Sequence, residues 1–354
     1  MFSRKKKSSG LVGLDIGSSS IKAVELKQKN DRYELVNLAI DSLSQDTIVD
    51  GAIMDAFSVS ASIEKIFNEN KIQTSRVATS VSGHSVIVKR IAVSAANEQE
   101  LELAVHQEAL QNIRFDLADV NLSYYVLGPA PGTGNALDVL LLAVKREKIQ
   151  GHTSVLEQAN KTPAVMDIDA FALQNAFEFS YEPPPDQTIA LLNIGASLMN
   201  INITRGGMPL FTRDVSVGGN QYTDILQKEL DISFEDAEKL KMGQELPNVP
   251  PDAKAPHLHF VSELLLLEIQ KTFDFFRQTT STDTIHAIYL AGGTARIQGL
   301  ADLLKAEFHI PVEILDPFRK VHVNPAKFDS GFITEIAPRM TVAMGLALRS
   351  FDAA

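Results

Sequence analysis

The sequence predicts an α/β protein built from two similar halves, each opening on a strand, a polar turn and a second strand. Three observations carry this. Leu11–Leu26 reads LVGLDIGSSSIKAVEL: an apolar run, a turn holding Asp15, Gly17, Ser18, Ser19 and Ser20, then a second apolar run that contains Lys22. Thr188–Thr204, TIALLNIGASLMNINIT, repeats it at a constant offset of 178 residues. Asp15 falls on Asn193, Ile16 on Ile194, Gly17 on Gly195, Ser18 on Ala196 and Ser19 on Ser197, which reads as an internal duplication. Between the two, Pro183-Pro184-Pro185 can neither continue a helix nor sit in a central strand, and marks the boundary.

The totals narrow the function classes. The chain has 354 residues, 45% hydrophobic and 22% charged, apolar enough for more than one core and too weakly charged for disorder. A net charge of −11 argues against a general affinity for nucleic acid. With no cysteine, disulfides, thiolate metal sites and cysteine nucleophiles are excluded, and a reducing compartment fits. The histidines lack the H-x-x-x-H spacing of a zinc helix. No run approaches the roughly 18 apolar residues of a membrane span; Leu137–Val144 is the best and contains Asp138. Residues 1–9 carry Arg4 and Lys5–Lys7 without an apolar stretch behind them, so they read as a basic tail and not as a secretory signal. A solvated tail and contact with anionic lipid both fit it.

The elements follow in order. Tyr33–Ile40 is a third strand. Asp55–Asn70 has helical periodicity through Ala56, Val59, Ile63, Ile66 and Phe67. Arg76–Val81 and Ser85–Val93 are strands around Ser82-Gly83-His84. Asn97 caps the helix Glu98–Asn112, with Glu100 completing the capping pattern. Asn121–Leu127 and Leu137–Val144 pair across a Gly/Pro loop, Lys145–Asn160 is an amphipathic helix, and Pro163–Ile168 is a buried strand. Asp167 and Asp169 read as a strand end capping the helix Ala170–Phe179. In the second half, Met208–Val215 matches Tyr33–Ile40. Ser216–Asn220 opens a helix to Leu230, and Ser233 caps a second over Asp231–Met242. His257–Thr279 has a wide apolar face (Leu258, Val261, Leu264, Leu265, Ile269, Phe273, Phe276), which predicts packing on two sides. Thr284–Leu290 leads into Gly292-Gly293-Thr294. Gly299–Phe308 is a helix and Val312–Ile314 a strand. A small-residue helix closes Thr334–Ser350.

Three glycine-marked turns therefore need a purpose: Gly17–Ser20, Gly195–Ser197 and Gly292–Thr294. Backbone N–H groups and hydroxyls beside a glycine can hold a phosphate. An ordinary hairpin turn would look the same one at a time; together they fit one nucleotide between two halves. Lys22 then supplies a point cation for phosphate, and Asp15 holds a magnesium ion through water, since that ion keeps much of its hydration shell. Glu238 and Lys241, by spacing alone, are a solvated helix face.

The set DIGSSSIK, NIGAS, SVGG, AEKLK and LAGGTARIQGL resembles the superfamily of actin, sugar kinases and heat-shock chaperone ATPases, in its FtsA-like branch. With DIDAFAL at 167–173, VSVGGNQYT at 215–223 and AMGLALR near the end, the chain is similar over nearly its whole length to the PilM family, the cytoplasmic actin-like proteins of type IV pilus assembly. The resemblance implies an actin-like ATPase fold with two duplicated core domains and an inserted subdomain in each half. The expected division is 10–92 with 161–186 as the first core, the helix 335–350 packing at its base, and 93–160 inserted. The second core is 187–230 with 284–334, with 231–283 inserted. The implied cofactors are ATP and Mg. The implied site adds Gly218, Gly219 and Arg296 to the turn residues, with Glu238 on the ribose hydroxyls and Lys241 along the adenine.

Hydrolysing relatives commonly carry an acid where this chain has Asn193, so binding with weak or absent hydrolysis is expected. The implied role is a scaffold peripheral to the inner membrane, reached through the N-terminal cytoplasmic peptide of a PilN-like protein. Pilus motor ATPases and platform proteins are further candidate partners, and oligomerisation stays open. Val86–Ile91 and the helix Glu98–Gln111 are the candidates for lining the peptide groove. Two alternatives remain. An FtsA-like division ATPase would usually end in a basic amphipathic helix, unlike RSFDAA at 349–354. A small-molecule kinase would need a catalytic acid, for which Asp167 and Asp169 are the nominees.

Overall fold

The computed structural model describes residues 10–351 apart from 31, 50, 131–133 and 281–283; the basic tail and the end of RSFDAA lie outside the described residues. Two sheets repeat one plan. In the first, the spatial order is Thr162–Ile168, Arg76–Val81, Val12–Ile16, Ser20–Lys29, Arg32–Ser42 and Val321–His322. In the second it is Val312–Ile314, Ala287–Ala291, Thr188–Ile194, Met199–Arg205 and Met208–Val215. Each contains an antiparallel meander of three strands with two parallel strands added beside its first member. The register of the two hairpins is the same: Asp15 sits opposite Lys22 and Asn193 opposite Asn200. The duplication read from the sequence is thus a duplication of topology.

Parallel strands present their carboxyl ends together. Ile16, Val81 and Ile168 end the first set, and Ile194 and Ala291 the second. The loops that follow these strands face one another across a cleft. This is why residues so far apart in sequence meet.

Packing redraws the expected domain boundaries. Arg146–Gln158, expected with the first insertion, buries Val155 and Leu156 against Ile63, Ile66 and Phe67 of the helix Ala56–Glu69, so it belongs to the first core. The inserted body is a three-stranded antiparallel sheet, ordered Val86–Val93, Leu137–Lys145, Val120–Pro129, with the helix Glu98–Asn112 burying Leu101, Val105 and Ala109 on one face. It begins at 86 and not at 93. In the second half, Phe234–Lys241 and Ala255–Thr279 share a single core with the sheet: Leu265, Ile269 and Phe273 pack with Ile194, Ile201 and Ile203. Leu264, expected on the buried face, is exposed. The boundary at 334 also moves. Val321–His322 pairs in parallel with Tyr33–Glu34, and Phe318, Ile333 and Ile336 join Val24, Leu35 and Leu38 in the first core. A two-residue edge strand carries no periodicity to read.

The final helix, Thr341–Leu348, is buried on every side. Its contact is close: a Cβ on Gly345 would lie 1.8 Å from the Ala172 carbonyl oxygen, and one on Gly13 2.0 Å from that of Ala343. Small residues here let helix, helix and strand backbones touch.

Candidate functional site

The loops at the strand ends enclose a cleft of about 650 Å³, within the range of small-molecule sites. Asp15, Gly17, Ser18, Ser19 and Lys22 line one wall, and Asn193, Gly195, Ala196, Ser197, Gly219, Glu238, Lys241, Gly292, Gly293 and Thr294 the other. Lys22 Nζ donates to Asp15 Oδ2 at 2.9 Å, with both side chains nearly buried. The turn itself closes through Gly17 N to Ser20 O at 3.2 Å. Ser20 does not line the cleft; its side chain is buried and its Oγ has no hydrogen-bond partner among the described residues.

The second turn is tied to its neighbours by backbone. Gly195 O accepts from Gly219 N and from Thr294 Oγ1, each at 2.9 Å, and Ala196 O accepts from Asn220 N at 2.8 Å. Gly218 lies behind this junction: a Cβ there would stand 2.6 Å from Gly195 O and 2.7 Å from Ala196 O. Gly292 has φ +86°, and a Cβ would stand 2.3 Å from Ile194 O. Only glycine lets these three turns interlock. Across the cleft, Ser197 Oγ donates to Ser18 Oγ at 2.8 Å, so the two duplicated turns touch directly.

Glu238 and Lys241 are not a solvated face. Lys241 is buried, paired with Glu238, and donates to Thr223 Oγ1 at 2.8 Å and Gly219 O at 3.3 Å. Burial pushes its ammonium pKa down and the charge of Glu238 opposes that. Arg296 departs from expectation. It is exposed, bonds the Glu335 carbonyl and does not line the cleft, because the short 3₁₀ turn Gly293–Arg296 turns it outward. Arg339, which the sequence did not single out, takes that side of the cleft beneath Gly293.

Asp169, nominated from the sequence only for the kinase alternative and otherwise read as a cap, is brought into the cleft. It does not cap the helix Asp169–Tyr181 but is its first residue. Its Oδ1 accepts from Ser80 Oγ at 2.6 Å, and it faces the cleft. Burial, and next the charge of Asp15, push its carboxyl up to about 6, against the bonds from Ser80 and Ser82. Asp167 instead bonds its own neighbour Ile168 N and pairs with Arg349 at 3.4 Å. Lys148 enters the same space, its pKa lowered by burial and supported by Asp169 and Asp214. His152 beside it is held down at about 4 by burial and by Lys148. The signal that could have found Asp169 is its position just past the end of a parallel strand.

Away from the cleft, Val86, Val88 and Leu142 of the inserted sheet and Met166 and Phe171 of the first half form a half-buried apolar cluster between two edge strands, Val86–Val93 and Thr162–Ile168. The helix Glu98–Asn112 packs on the opposite face of that sheet and takes no part.

No helix among the described residues is long and apolar enough to cross a membrane. The family of the type IV pilus assembly protein PilM matches residues 13–351. The structure is similar to that of a PilM-PilN type IV pilus biogenesis complex, with TM-score 0.87 and 27% identity over 98% of this chain and 100% of that one. More distant likenesses share the fold. MreB5 of Spiroplasma citri bound to AMPPNP has TM-score 0.53 and 13% identity, covering 98% of this chain and 96% of that one. Ta0583, an archaeal actin homolog, has TM-score 0.50 and 10% identity, covering 97% and 100%. The fold is actin-like, and the chain belongs to the PilM family of type IV pilus assembly proteins.

Proposed function

We infer that the protein is an ATP-binding scaffold of the type IV pilus inner-membrane platform that holds the N-terminal cytoplasmic tail of a PilN-like membrane protein, with weak or absent hydrolysis. The observation that carries the nucleotide reading is the convergence of the two duplicated turns, Lys22 and the Glu238–Lys241 pair on one cleft. Oxygen-rich turns with a lysine suit phosphates, and an ion pair beside the glycine turns, its lysine buried and its glutamate partly exposed, suits ribose and base.

The donor set also fits magnesium. Asp15 and Asp169 repel one another at the phosphate end, and a hard divalent ion relieves such repulsion. Asp15 would hold it through water. When bound, the ion neutralises phosphate charge; Lys22 orients Asp15, and Ser18, whose hydroxyl accepts from Ser197, keeps its own proton to donate to a phosphate oxygen.

Asn193 supplies no negative charge and no general base, which supports slow turnover. The apolar cluster at Val88, Leu142 and Met166 between two sheet edges suits an extended peptide, which adds to an edge through main-chain bonds. Attachment through such a peptide would place the protein at the cytoplasmic face of the inner membrane.

Titration calorimetry with ATP, with and without Mg²⁺, tests the cleft. Micromolar or tighter binding that weakens at least tenfold in Asp15→Ala or without Mg²⁺ is expected. Rapid phosphate release by the isolated protein, abolished by Asp15→Ala, would overturn the non-hydrolysing reading. Calorimetry with a synthetic PilN-like tail peptide tests the partner.

A further inference from the structure

Three residues stand side by side on neighbouring strands of the second sheet. Asn193 is directly opposite Asn200, and Asn200 directly opposite Asp214. Asn193 Nδ2 donates to Asn200 Oδ1 at 2.8 Å, and Asn200 Nδ2 donates to Asp214 Oδ1 at 2.8 Å. The other oxygen, Asp214 Oδ2, leaves the second half altogether and accepts from Gly83 N at 2.6 Å. His84 Nε2 and Ser216 Oγ, 3.0 Å apart, add a second bond at the same crossing.

Ser82-Gly83-His84 is the turn that joins the first sheet to Val86–Val93, the edge strand of the inserted sheet. A hydrogen-bonded row therefore starts at the second glycine turn and ends on the hinge of the insertion.

The direction of this row is fixed by chemistry. An ionised carboxylate only accepts. Asp214 thus forces Asn200 to point its amide toward it, and Asn200 is left with an oxygen that only the Asn193 amide can satisfy. Asn193 is then obliged to keep its own Oδ1 for the cleft that it lines. An acid at 193 could not donate to Asn200, and the row would break at its first bond. The departure at 193 is therefore the residue that the row requires. Asn200 is buried and Asp214 partly so, with its pKa raised by burial against the bonds from Asn200 and Gly83. Buried networks of this kind have few alternative arrangements.

We propose that Asn193, Asn200 and Asp214 couple the cleft to the inserted sheet, so that a nucleotide contacting Asn193 changes the affinity of the groove beside Val86–Val93 for an extended peptide. This rests on the proposed function, because it needs both ligands. A ligand drawing on Asn193 Oδ1 fixes the Asn193 amide, which fixes Asn200 and Asp214 and so holds Gly83 in one position. The strand that leads into this turn is held from the first half as well, since Ser80 Oγ donates to Asp169 Oδ1 at 2.6 Å. Binding in the cleft thereby narrows the range of positions open to the groove's edge strand, and linkage makes the effect reciprocal.

The test uses the full chain, ATP with Mg²⁺, and a synthetic peptide copying a PilN-like N-terminal tail. Calorimetry is expected to show peptide affinity changing about fivefold or more when the cleft is saturated with ATP, with ATP affinity changing by the same factor when the groove is saturated. In Asn200→Ala both factors should fall to near one, while each ligand alone binds within about threefold of the unsubstituted protein. Asp214→Ala, which removes the row's link to Gly83 and frees Asn200 to turn, should behave alike and serves if Asn200→Ala does not fold. Hydrogen exchange gives a readout without the peptide: ATP should slow exchange across Gly83–Val93, and neither variant should show this. If the peptide fails to bind but ATP-dependent protection appears and is lost in Asn200→Ala, the groove reading fails and the coupling row stands. If ATP and peptide both bind with independent affinities, or if the variants keep the full coupling, the proposal is overturned while the scaffold reading survives. If ATP binds and leaves Gly83–Val93 exchange unchanged, the row carries nothing.

Discussion

The two duplicated turns share a backbone and differ in what holds them. The first is fixed by a charged pair, Lys22 on Asp15, and a Cβ on Gly17 would meet the lysine Nζ at 3.0 Å, the movable end of a flexible side chain. The second is fixed by main chain: Gly195 and Ala196 carbonyls bond the helix Gly219–Leu230 and Thr294, and the row from Asn193 replaces the ion pair. One turn is adjustable and charged, the other rigid and neutral. A duplicated unit can therefore divide labour, one copy meeting phosphate charge and the other transmitting its presence.

The largest expected break of this contrast is steric. Gly292→Ala should destabilise the protein by more than about 4 kcal/mol or prevent folding, since both the left-handed φ and the Ile194 carbonyl forbid a side chain. Gly218→Ala should cost about 2–4 kcal/mol because its obstacles are backbone atoms. Gly17→Ala should cost less than about 1 kcal/mol, since Lys22 can move, and should instead weaken ATP binding. Urea midpoints of the three variants separate the two kinds of turn.

Next, Lys22→Ala should leave stability within about 1–2 kcal/mol but lower ATP affinity at least tenfold, because Asp15 then faces phosphate uncompensated. Calorimetry without Mg²⁺ should show the greater loss.

A pH comparison is sharper still. His152, held at about 4 against an ordinary 6.5, is protonated first in the unfolded chain, so stability falls as pH drops from 6.5 to 4. Asp169, held at about 6 against 3.8, works the other way: its contribution is complete below 3.8 and is lost as pH rises through 6. With Lys148, Asp15 and Asp214 around them, the two nearly cancel. Removing one should expose the other. Metal-free Asp169→Asn should lose up to about 3 kcal/mol between pH 6.5 and 4, measured by urea unfolding, where the unsubstituted protein changes little.

The smallest effect belongs to the insertion. Asn97→Ala removes a cap on Glu100 N (2.9 Å) and should cost about 1 kcal/mol without altering ATP binding.

Strand–turn–strand units were legible because alternation, glycine and a constant offset are local signals. So were the three turns and the fold class. What was not legible depends on long-range packing. Whether Arg146–Gln158 belongs to the insertion or the core is decided by Val155 and Leu156 meeting Ile63 and Ile66. Arg296 and Arg339 look equally suited to a cleft until a 3₁₀ turn sends one outward. Asp169 reads as a cap because Asp before a helix usually is one; only the parallel strand beside it, with Ser80, makes it a cleft residue. Asn193 was read as the loss of an acid, and its partners were invisible because Asp214 lies in another strand.

The helix Thr341–Leu348 has a consequence for synthesis on the ribosome. It covers Val24, Leu26 and Leu35, and Leu11 N bonds Ser350 Oγ at 3.0 Å. The opening meander of the first sheet is thus translated first and sealed last. Throughout elongation its lower face stays apolar and uncovered, so the second half is finished before the first can close. A stop codon at position 343, inside this helix, should leave an aggregating chain, although every loop of the cleft would still be present.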